Sequence, residues 1–228
     1  RNMGCRTRIS SGIRWVFSRV DEAIFLEDDT LPDATFFPYC EELLARYRND
    51  DRVIAVSGSS MLTHGSPDGA SYWFSAHPRI WGWASWRRAW DGYDVEMSDW
   101  PAMRESSAWR ARTPLEQRAW GPFFDDVKAG LVDTWDAQFT LLAWKTGRLC
   151  AIPSRNLVDN IGFGVDATNT HAPEFPGPRP AAMAFPLRHP ASVVRDAQCD
   201  AEWMRIENPP PPGLVRRILR RVKRLVLG

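Results

Sequence analysis

The sequence is poor in the features that mark the simplest protein classes. Only four of its 228 residues are cysteines (Cys5, Cys40, Cys150 and Cys199), and they are far apart with no C-x-x-C pair. This spacing favours reduced thiols in a cytoplasmic protein over a disulfide framework or a zinc site. The sequence also contains no signal peptide and no apolar run long enough to span a bilayer.

Neither sign of charge dominates the chain as a whole. The formal net charge is +1, but residues 205–228 hold seven Arg or Lys residues and one acid, so residues 1–204 carry a net charge of −5. A mildly acidic body argues against nucleic-acid binding. Hydrophobic residues make up 44% of the sequence, enough to bury a sizeable core, and we expect one globular domain with an appendage.

Three adjacent acids, Glu27, Asp28 and Asp29, follow a short apolar run at positions 23–26. Four apolar residues without alternation predict a strand that is buried on both faces. At the C-terminal end of such a strand the acids would point into a ligand pocket, where a hard divalent cation such as Mg²⁺ or Mn²⁺ relieves their repulsion. The alternative interpretation is a solvated acidic turn whose Asp residues cap the next segment.

Helix and strand patterns surround this run. Residues 9–20 have apolar positions at helical spacing, and a second helix opens at Pro32 and runs to Tyr47. Residues 53–56 predict another buried strand, which completes a strand–helix–strand crossover of the doubly wound type. Residues 150–153 predict a short edge strand, because a strand that ends in proline is tolerated there. The predicted class is therefore α/β.

Residues 72–93 are crowded with aromatic side chains. A tryptophan offers a flat apolar face and one N–H donor, which together suit stacking on a sugar ring. The alternative is a tryptophan-rich core, and we assign Trp86 and Trp90 to packing on that ground. Trp81, Gly82 and Trp83 remain candidates for an acceptor site, because the glycine permits close backbone approach.

Asp136 lies near the start of another predicted helix. The segment Asp133-Thr134-Trp135-Asp136 precedes an apolar periodic run, and Asp133 or Thr134 could cap that helix. Asp136 would lie among the N-terminal amides, which keep its carboxylate ionised. An ionised carboxylate at the edge of a pocket can accept a proton from an attacking hydroxyl. A helix from Phe123 to Leu131 is predicted to precede this segment.

A polar loop punctuated by glycine follows at residues 156–171. Gly162 and Gly164 can present backbone N–H groups to a phosphate, although a Gly-x-Gly pair is weak evidence by itself. His171 is a candidate metal ligand or phosphate contact, and the alternative is an ordinary surface histidine.

The C-terminal part of the chain divides into two segments. Prolines in residues 173–212 predict an extended segment that wraps over the domain or acts as a linker. Residues 213–228 predict a basic amphipathic helix with an apolar stripe at 214–226. Such a helix binds the surface of an anionic membrane, docks on a partner protein, or belongs to the core of a larger protein. We favour the membrane surface, with the protein peripheral on the inner membrane face.

Several of these motifs together resemble a known family. They are Asn2-Met3-Gly4-Cys5, Ser10-Ser11-Gly12-Ile13, Ile24-Phe25-Leu26-Glu27-Asp28-Asp29, Tyr39-Cys40-Glu41-Glu42, Trp81-Gly82-Trp83-Ala84-Ser85-Trp86, Trp135-Asp136-Ala137-Gln138 and Asn160-Ile161-Gly162-Phe163-Gly164. The combination resembles the nucleotide-diphospho-sugar transferases of the GT-A fold. It is most similar to a bacterial group described as glycosyltransferase family 2-like or hemolytic-protein-like, and more distantly to the N-acetylglucosaminyltransferase I type.

The resemblance implies a fold and a set of roles over roughly residues 2–171. The fold would be a Rossmann-like, mostly parallel sheet sandwiched by helices. Asp29 would bind Mn²⁺ or Mg²⁺ with His171 as a further candidate, and Glu27 and Asp28 would meet the donor's ribose and sugar hydroxyls, with Gly162 and Gly164 at the donor phosphates. Asp136 matches the general base of inverting members. Trp81 and Trp83 would shape the acceptor side.

The resemblance also implies that the chain is N-terminally truncated. It starts at Arg1, just before the helix that leads into the acidic run, whereas family members begin with a strand, helix and strand that hold the nucleotide base. We therefore expect residues 1–172 to be a partial glycosyltransferase domain. The sequence leaves open the donor nucleotide, the sugar, the acceptor and the linkage.

Two other functions compete with this interpretation. The chain could be a non-catalytic carbohydrate-binding module, in which case the tryptophans and not the acids would matter. It could instead be a metal-dependent nucleotidyl or phosphoryl transferase that uses the same acidic pocket. The clustered acids argue against the first, and the lack of a Gly-x-x-x-x-Gly-Lys-Ser/Thr loop argues against the second.

Overall fold

The computed structural model describes residues 2–162 and 177–209. Within these ranges the chain forms eight helices and seven strands. In chain order they are α1 (Gly4–Phe17), β1 (Glu22–Phe25), β2 (Thr30–Pro32), α2 (Phe36–Tyr47), β3 (Val53–Ser57), β4 (Tyr72–Ser75), β5 (Trp83–Trp86), α3 (Arg87–Trp90), α4 (Trp100–Arg104), α5 (Ser107–Arg110), α6 (Pro114–Lys128), α7 (Asp136–Thr146), β6 (Leu149–Pro153), β7 (Val158–Asn160) and α8 (Ala197–Glu207). The predicted α/β class is confirmed.

The main sheet has five strands in the order β1-β5-β3-β6-β4. Only the neighbours β3 and β6 are parallel, whereas β1–β5, β3–β5 and β4–β6 are antiparallel. The prediction of a mostly parallel sheet was therefore wrong, because the sheet is mixed. One reason lies in residues 58–71, which join the oppositely directed strands β3 and β4 and contain no helix, since antiparallel strands need no crossover helix between them.

Two predictions about the position of a strand in the sheet were wrong: the strand predicted to be buried on both faces lies at the edge, and the strand predicted to lie at the edge is internal. The apolar run before the acids forms β1, which is an edge strand of half-buried residues and pairs, among the described strands, only with β5. The segment predicted as an edge, β6, lies between β3 and β4 and is almost fully buried. Pro153 is its last residue, where the missing N–H is tolerated.

Helices cover both faces of the sheet. Trp83 and Trp86 are three residues apart on β5 and so point to opposite faces. The indole of Trp86 donates to Leu44 O of α2 over 3.1 Å, whereas the Trp83 ring packs on Phe139 of α7 with centroids 5.3 Å apart. On β4, Trp73 lies 6.5 Å from Trp203 of α8. Each face of the sheet therefore has its own helical layer.

Sequence periodicity located α1, α2 and α7, although α2 begins at Phe36 and the predicted start, Pro32, lies in β2. It missed the first half of α6 and all of α8. The helix predicted from Phe123 begins at Pro114, where Thr113 and Glu116 form a capping box. Helix α8 was not predicted, although Asp196 caps it and accepts hydrogen bonds from the amides of Gln198 and Cys199. Prolines elsewhere in residues 173–212 obscured that signal.

Asp133 caps a helix other than the one expected. Its carboxylate accepts hydrogen bonds from Cys5 N over 2.8 Å and from Arg6 N over 3.1 Å, at the N-terminus of α1. Helix α7 has no side-chain cap. The prediction that Asp133 or Thr134 caps α7 was therefore wrong. Asp133 instead ties the start of the chain to the loop before α7.

The segment before α8 is extended and hydrogen-bonded to the body. Ala181 N donates to Asn156 O, and Met183 N donates to Thr35 Oγ1, each over 2.9 Å. The predicted basic helix at 213–228 lies outside the described residues. The longest helix of the described ranges, α6, has 15 residues, and no helix there combines the length and hydropathy that a bilayer span requires.

Candidate functional site

The candidate site lies at the end of the main sheet where strands β1 and β3 terminate. Strands β1 and β3 are both antiparallel to β5, so they point the same way and end at the same edge. The acidic run follows β1 there, Ser57 and Gly58 end β3, and Trp81 and Gly82 precede β5. Residues that are distant in sequence thus meet at the C-terminal ends of two strands, the usual position of ligand sites in α/β sheets.

The acids form a tight turn that Thr30 closes. The Thr30 hydroxyl accepts from Glu27 N over 3.0 Å and donates to Glu27 O over 2.7 Å, and Thr30 N donates to the same carbonyl over 3.1 Å. Asp28 at the tip is exposed, whereas Glu27 and Asp29 are half-buried. The alternative interpretation, a fully solvated acidic turn, therefore holds for Asp28 but not for Glu27 and Asp29.

Glu27 and Asp29 each have one oxygen without a partner. Glu27 Oε1 and Asp29 Oδ1 are buried and accept no hydrogen bond from the described residues. Burial is the largest cause that raises the pKa of Glu27 to about 7, and the negative charges of Asp29 and Asp136 raise it further. The interaction with the Trp135 side chain lowers it and is outweighed. Burial also raises the pKa of Asp29 above its ordinary value. The turn is thus a site of concentrated negative charge that a cation would relieve.

The predicted donor-site glycine lies against Asp29. Strands β2 and β7 pair, with Thr30 opposite Asn160, and Ile161 N donates to Asp29 O over 2.8 Å. A Cβ on Gly162 would lie 2.9 Å from the Cβ of Asp29. The structure therefore brings Gly162 to the acidic turn. Gly164 and His171 lie outside the described residues.

Asp136 is the first residue of α7 and lies close to the acidic turn. Its charge is one of the causes that raise the Glu27 pKa, and the preceding Trp135 stacks on Trp83, which in turn stacks on Phe25 of β1. The Thr134 hydroxyl donates to Asp136 Oδ1, which fixes the carboxylate.

Asp136 also lines a cavity of about 240 Å³ together with Trp81. Two residues predicted for the acceptor side thus share one cavity. The other lining residues were missed by the sequence analysis. The charged and aromatic ones among them are Arg79, Trp120, Trp203 and Glu207. Arg79 and Trp120 carry no motif signal, and Trp203 and Glu207 belong to the unpredicted helix α8.

Gly82 and Trp83 have a different environment. Gly82 has φ +60°, and a Cβ there would lie 2.7 Å from Val158 Cγ2 and 3.3 Å from Leu26 Cδ2. Trp83 is 1% exposed and stacks on Phe25 and Trp135, with ring centroids 4.6 and 5.4 Å away. Both residues pack beneath the acidic turn. In this structure Trp83 is a core residue that supports Trp135.

A second cavity reaches Glu27. It has a volume of about 750 Å³, lies between α1 and the end of β1, and is walled mainly by apolar side chains, including Ile9, Val16 and Phe25. Its position next to the unpaired edge of β1 explains why that strand is only half-buried.

The residues present suit a cation that is shared with a phosphate ligand. Within residues 2–162 and 177–209, no three His, Cys, Asp or Glu side chains gather into a metal-holding group. Mg²⁺ in phosphate-transfer sites is commonly held by one or two carboxylates, with phosphate oxygens and water as the other ligands. Asp29, with its buried unpaired oxygen, matches that mode.

Comparison with known proteins adds no name to this site. No protein-family model matches the chain, and no curated protein shows significant similarity to it.

Proposed function

We propose that this chain is a metal-dependent glycosyltransferase of the GT-A type. It would move a sugar from a nucleotide-diphospho-sugar to a hydroxyl of a glycan or glycolipid, with inversion at the anomeric carbon. One observation supports this above all others. The acidic turn and Asp136 meet at one edge of the sheet, and Asp136 also lines a tryptophan-walled cavity. Donor and acceptor would thus bind on two sides of one carboxylate.

The acidic turn is the proposed donor side. Asp29 would hold Mn²⁺ or Mg²⁺, which when bound supplies positive charge to the donor diphosphate and its leaving oxygen. Glu27 and Asp28 would accept hydrogen bonds from donor hydroxyls, and the lack of a side chain at Gly162 lets its backbone lie against Asp29. The buried, unpartnered oxygens of Glu27 and Asp29 support this assignment, because buried carboxylate oxygens are normally bonded.

Asp136 is the proposed general base. Its carboxylate would take the proton of the acceptor hydroxyl as that oxygen attacks the anomeric carbon. The new bond joins the acceptor oxygen to the anomeric carbon. The bond to the donor phosphate breaks, and its electron pair leaves with the nucleoside diphosphate. The hydrogen bond from Thr134 supports this role, because it holds the carboxylate in one orientation.

Calorimetric titration of UDP, GDP and dTDP into the chain tests the donor side. We expect one nucleotide to bind in Mn²⁺ and not in EDTA, and we expect the Asp29→Asn variant to lose that binding. Asp126→Asn is the matched control, because it removes an exposed carboxylate on α6 that is distant from Asp29 in the sequence. Equal binding in EDTA, or unchanged binding by Asp29→Asn, would contradict a metal site at Asp29.

Failure of all three nucleotides to bind would count against the transferase. Sugar binding without nucleotide binding would then favour a carbohydrate-binding module. Turnover of a nucleoside triphosphate without sugar transfer would favour a nucleotidyl or phosphoryl transferase.

We further propose that the basic stripe at residues 214–226 binds the anionic surface of the inner membrane. The sequence alone supports this, because the segment lies outside the described residues. Six Arg or Lys residues lie in the range 214–226, and each contributes about 1 kcal/mol near an anionic surface. Co-sedimentation with vesicles tests it, since binding should need anionic lipid and weaken with salt.

A further inference from the structure

We propose that the 240 Å³ cavity beside Asp136 binds a single, uncharged sugar ring, read by Arg79 and Glu207. This inference rests on the proposed function in one respect, since Asp136 identifies the ring as the acceptor. It adds the size, the charge and the recognition residues of that ligand.

The cavity has a composition suited to sugars. Trp81, Trp120 and Trp203 line it together with Ser59 and Thr140. Indole faces pack on the C–H face of a pyranose, while hydroxyl groups of serine and threonine meet its polar edge. A wholly apolar ligand would displace water from these hydroxyl groups and from the remaining lone pairs of Asp136 without replacing its hydrogen bonds.

Arg79 is held in place before any ligand binds. Its guanidinium lies 4.3 Å above the Trp203 ring, and Nη1 donates to Glu207 Oε1 over 2.5 Å. The side chains of Arg79 and Glu207 are only 13% and 27% exposed. A sugar hydroxyl can accept from a guanidinium and donate to a carboxylate, so this pair suits a hydroxylated ring.

The size of the cavity limits the ligand to about one ring. Pockets for drug-sized molecules typically measure about 300–1,000 Å³, and this cavity measures about 240 Å³. A single monosaccharide unit fits that volume, and further units of a glycan would extend into solvent.

The charges around the cavity argue against an acidic sugar. One cation, Arg79, faces two carboxylates, Asp136 and Glu207. Arg79 is already paired with Glu207, so a carboxylate or phosphate on the ligand would meet Asp136 without a free countercharge among the described lining residues. The acceptor ring should therefore be neutral.

The test is protein-observed NMR of the indole N–H groups, without nucleotide or metal. The probes are methyl glucopyranoside, methyl galactopyranoside and methyl mannopyranoside, with methyl glucuronide as the acidic comparison. We expect at least one neutral glycoside to shift the Trp81 and Trp120 signals saturably, and the Trp15 signal, which comes from an exposed ring on α1, to stay unchanged.

Two variants test the recognition residues. Glu207→Gln should weaken the neutral glycoside about tenfold, because one charged hydrogen-bonding partner is lost. Glu202→Gln is the matched control on the same helix, since Glu202 pairs with exposed His64 and does not line the cavity. Trp120→Leu should weaken binding about fivefold or more, while Trp15→Leu should not.

The outcomes separate this inference from the proposed function. Metal-dependent nucleotide binding without any saturable glycoside shift would overturn the sugar site and leave the transferase standing. Glycoside binding without nucleotide binding would support the site and count against the transferase. Tighter binding of the glucuronide, or equal effects of Glu207→Gln and Glu202→Gln, would overturn the assignment of a neutral ring read by Arg79 and Glu207.

Discussion

Gly162 leaves no room for a side chain beside Asp29, because a Cβ at that position would lie 2.9 Å from the Asp29 Cβ. The two residues come from segments more than 130 positions apart, joined by the pairing of β2 and β7. The acidic turn therefore depends on the chain that follows β7. This close approach explains why a glycine is needed here.

We expect Gly162→Ala to displace Asp29 and to weaken metal-dependent nucleotide binding at least about tenfold, with a stability loss of about 1 kcal/mol from overpacking. Calorimetry and urea unfolding measure the two effects. Gly12→Ala is the control, because a Cβ there meets no atom within 4 Å and the residue lies inside α1. The free energy of unfolding of Gly12→Ala should exceed that of the unmodified chain by roughly 1 kcal/mol. Equal nucleotide affinity in Gly162→Ala would contradict the role of this contact.

Much of the candidate site could be predicted from local sequence, but its walls could not. The acidic run, Asp136 and Gly162 each carry a local signal, and the sheet brings them to one edge. Arg79 and Trp120 carry none, because only the packing of α6 and of the loop before β5 places them at the cavity. The edge position of β1 also escaped prediction, because a four-residue apolar run looks the same at an edge and in the centre of a sheet.

We expect Asp136→Asn to abolish sugar transfer while it spares nucleotide binding. The amide keeps the shape of the side chain but cannot accept a proton, and loss of a general base typically slows turnover by about 10²–10⁴-fold. Release of nucleoside diphosphate from the donor, with and without acceptor, measures turnover, and calorimetry measures affinity. Turnover within about threefold of the unmodified chain would exclude Asp136 as the base.

Asp133 should stabilise the N-terminus of α1 from a distance. Asp133→Asn weakens the acceptor of the Cys5 and Arg6 amide bonds, so we expect a loss of about 1 kcal/mol in the free energy of unfolding. Hydrogen exchange should speed up at those two amides first. Asp126→Asn, an exposed change on α6, should alter neither measurement. Unchanged exchange at Cys5 and Arg6 would contradict the capping role.

A buried polar network joins α6 to α8 and should make stability depend on pH. Glu116 accepts hydrogen bonds from His77 Nε2 over 3.0 Å and from Arg195 Nη2 over 2.7 Å, and Arg195 Nε donates to Asp200 over 2.6 Å. Burial lowers the pKa of His77 below its ordinary 6.5, which favours the neutral ring. Its Nε2 faces the Glu116 carboxylate, which can only accept, so the proton is assigned to Nε2. His77 Nδ1 is buried and has no partner among the described residues, as a neutral ring allows.

For Glu116, burial acts to raise the pKa, but other interactions outweigh it. Burial alone would raise the pKa of Glu116, but hydrogen bonds from His77 and Thr113 N, with the charge of Arg195, outweigh it and hold that pKa far below the ordinary 4.5. Both folded pKa values are thus below their unfolded values. The unfolded chain takes up protons first at His77 and then at Glu116, so the stability that these groups contribute is complete above about pH 6.5 and falls as the pH is lowered.

We therefore expect the free energy of unfolding to decrease from about pH 6.5 downward, and more steeply below about pH 4.5. Glu116→Gln should cost about 2 kcal/mol at neutral pH, less than a fully buried ion pair because Arg195 is 31% exposed and keeps Asp200. The variant should also flatten the curve below about pH 4.5, whereas Asp126→Asn, an exposed change on α6, should follow the unmodified chain. Urea unfolding across this pH range measures the curves. Parallel curves for Glu116→Gln and the unmodified chain would show that the network does not govern the acid sensitivity of the fold.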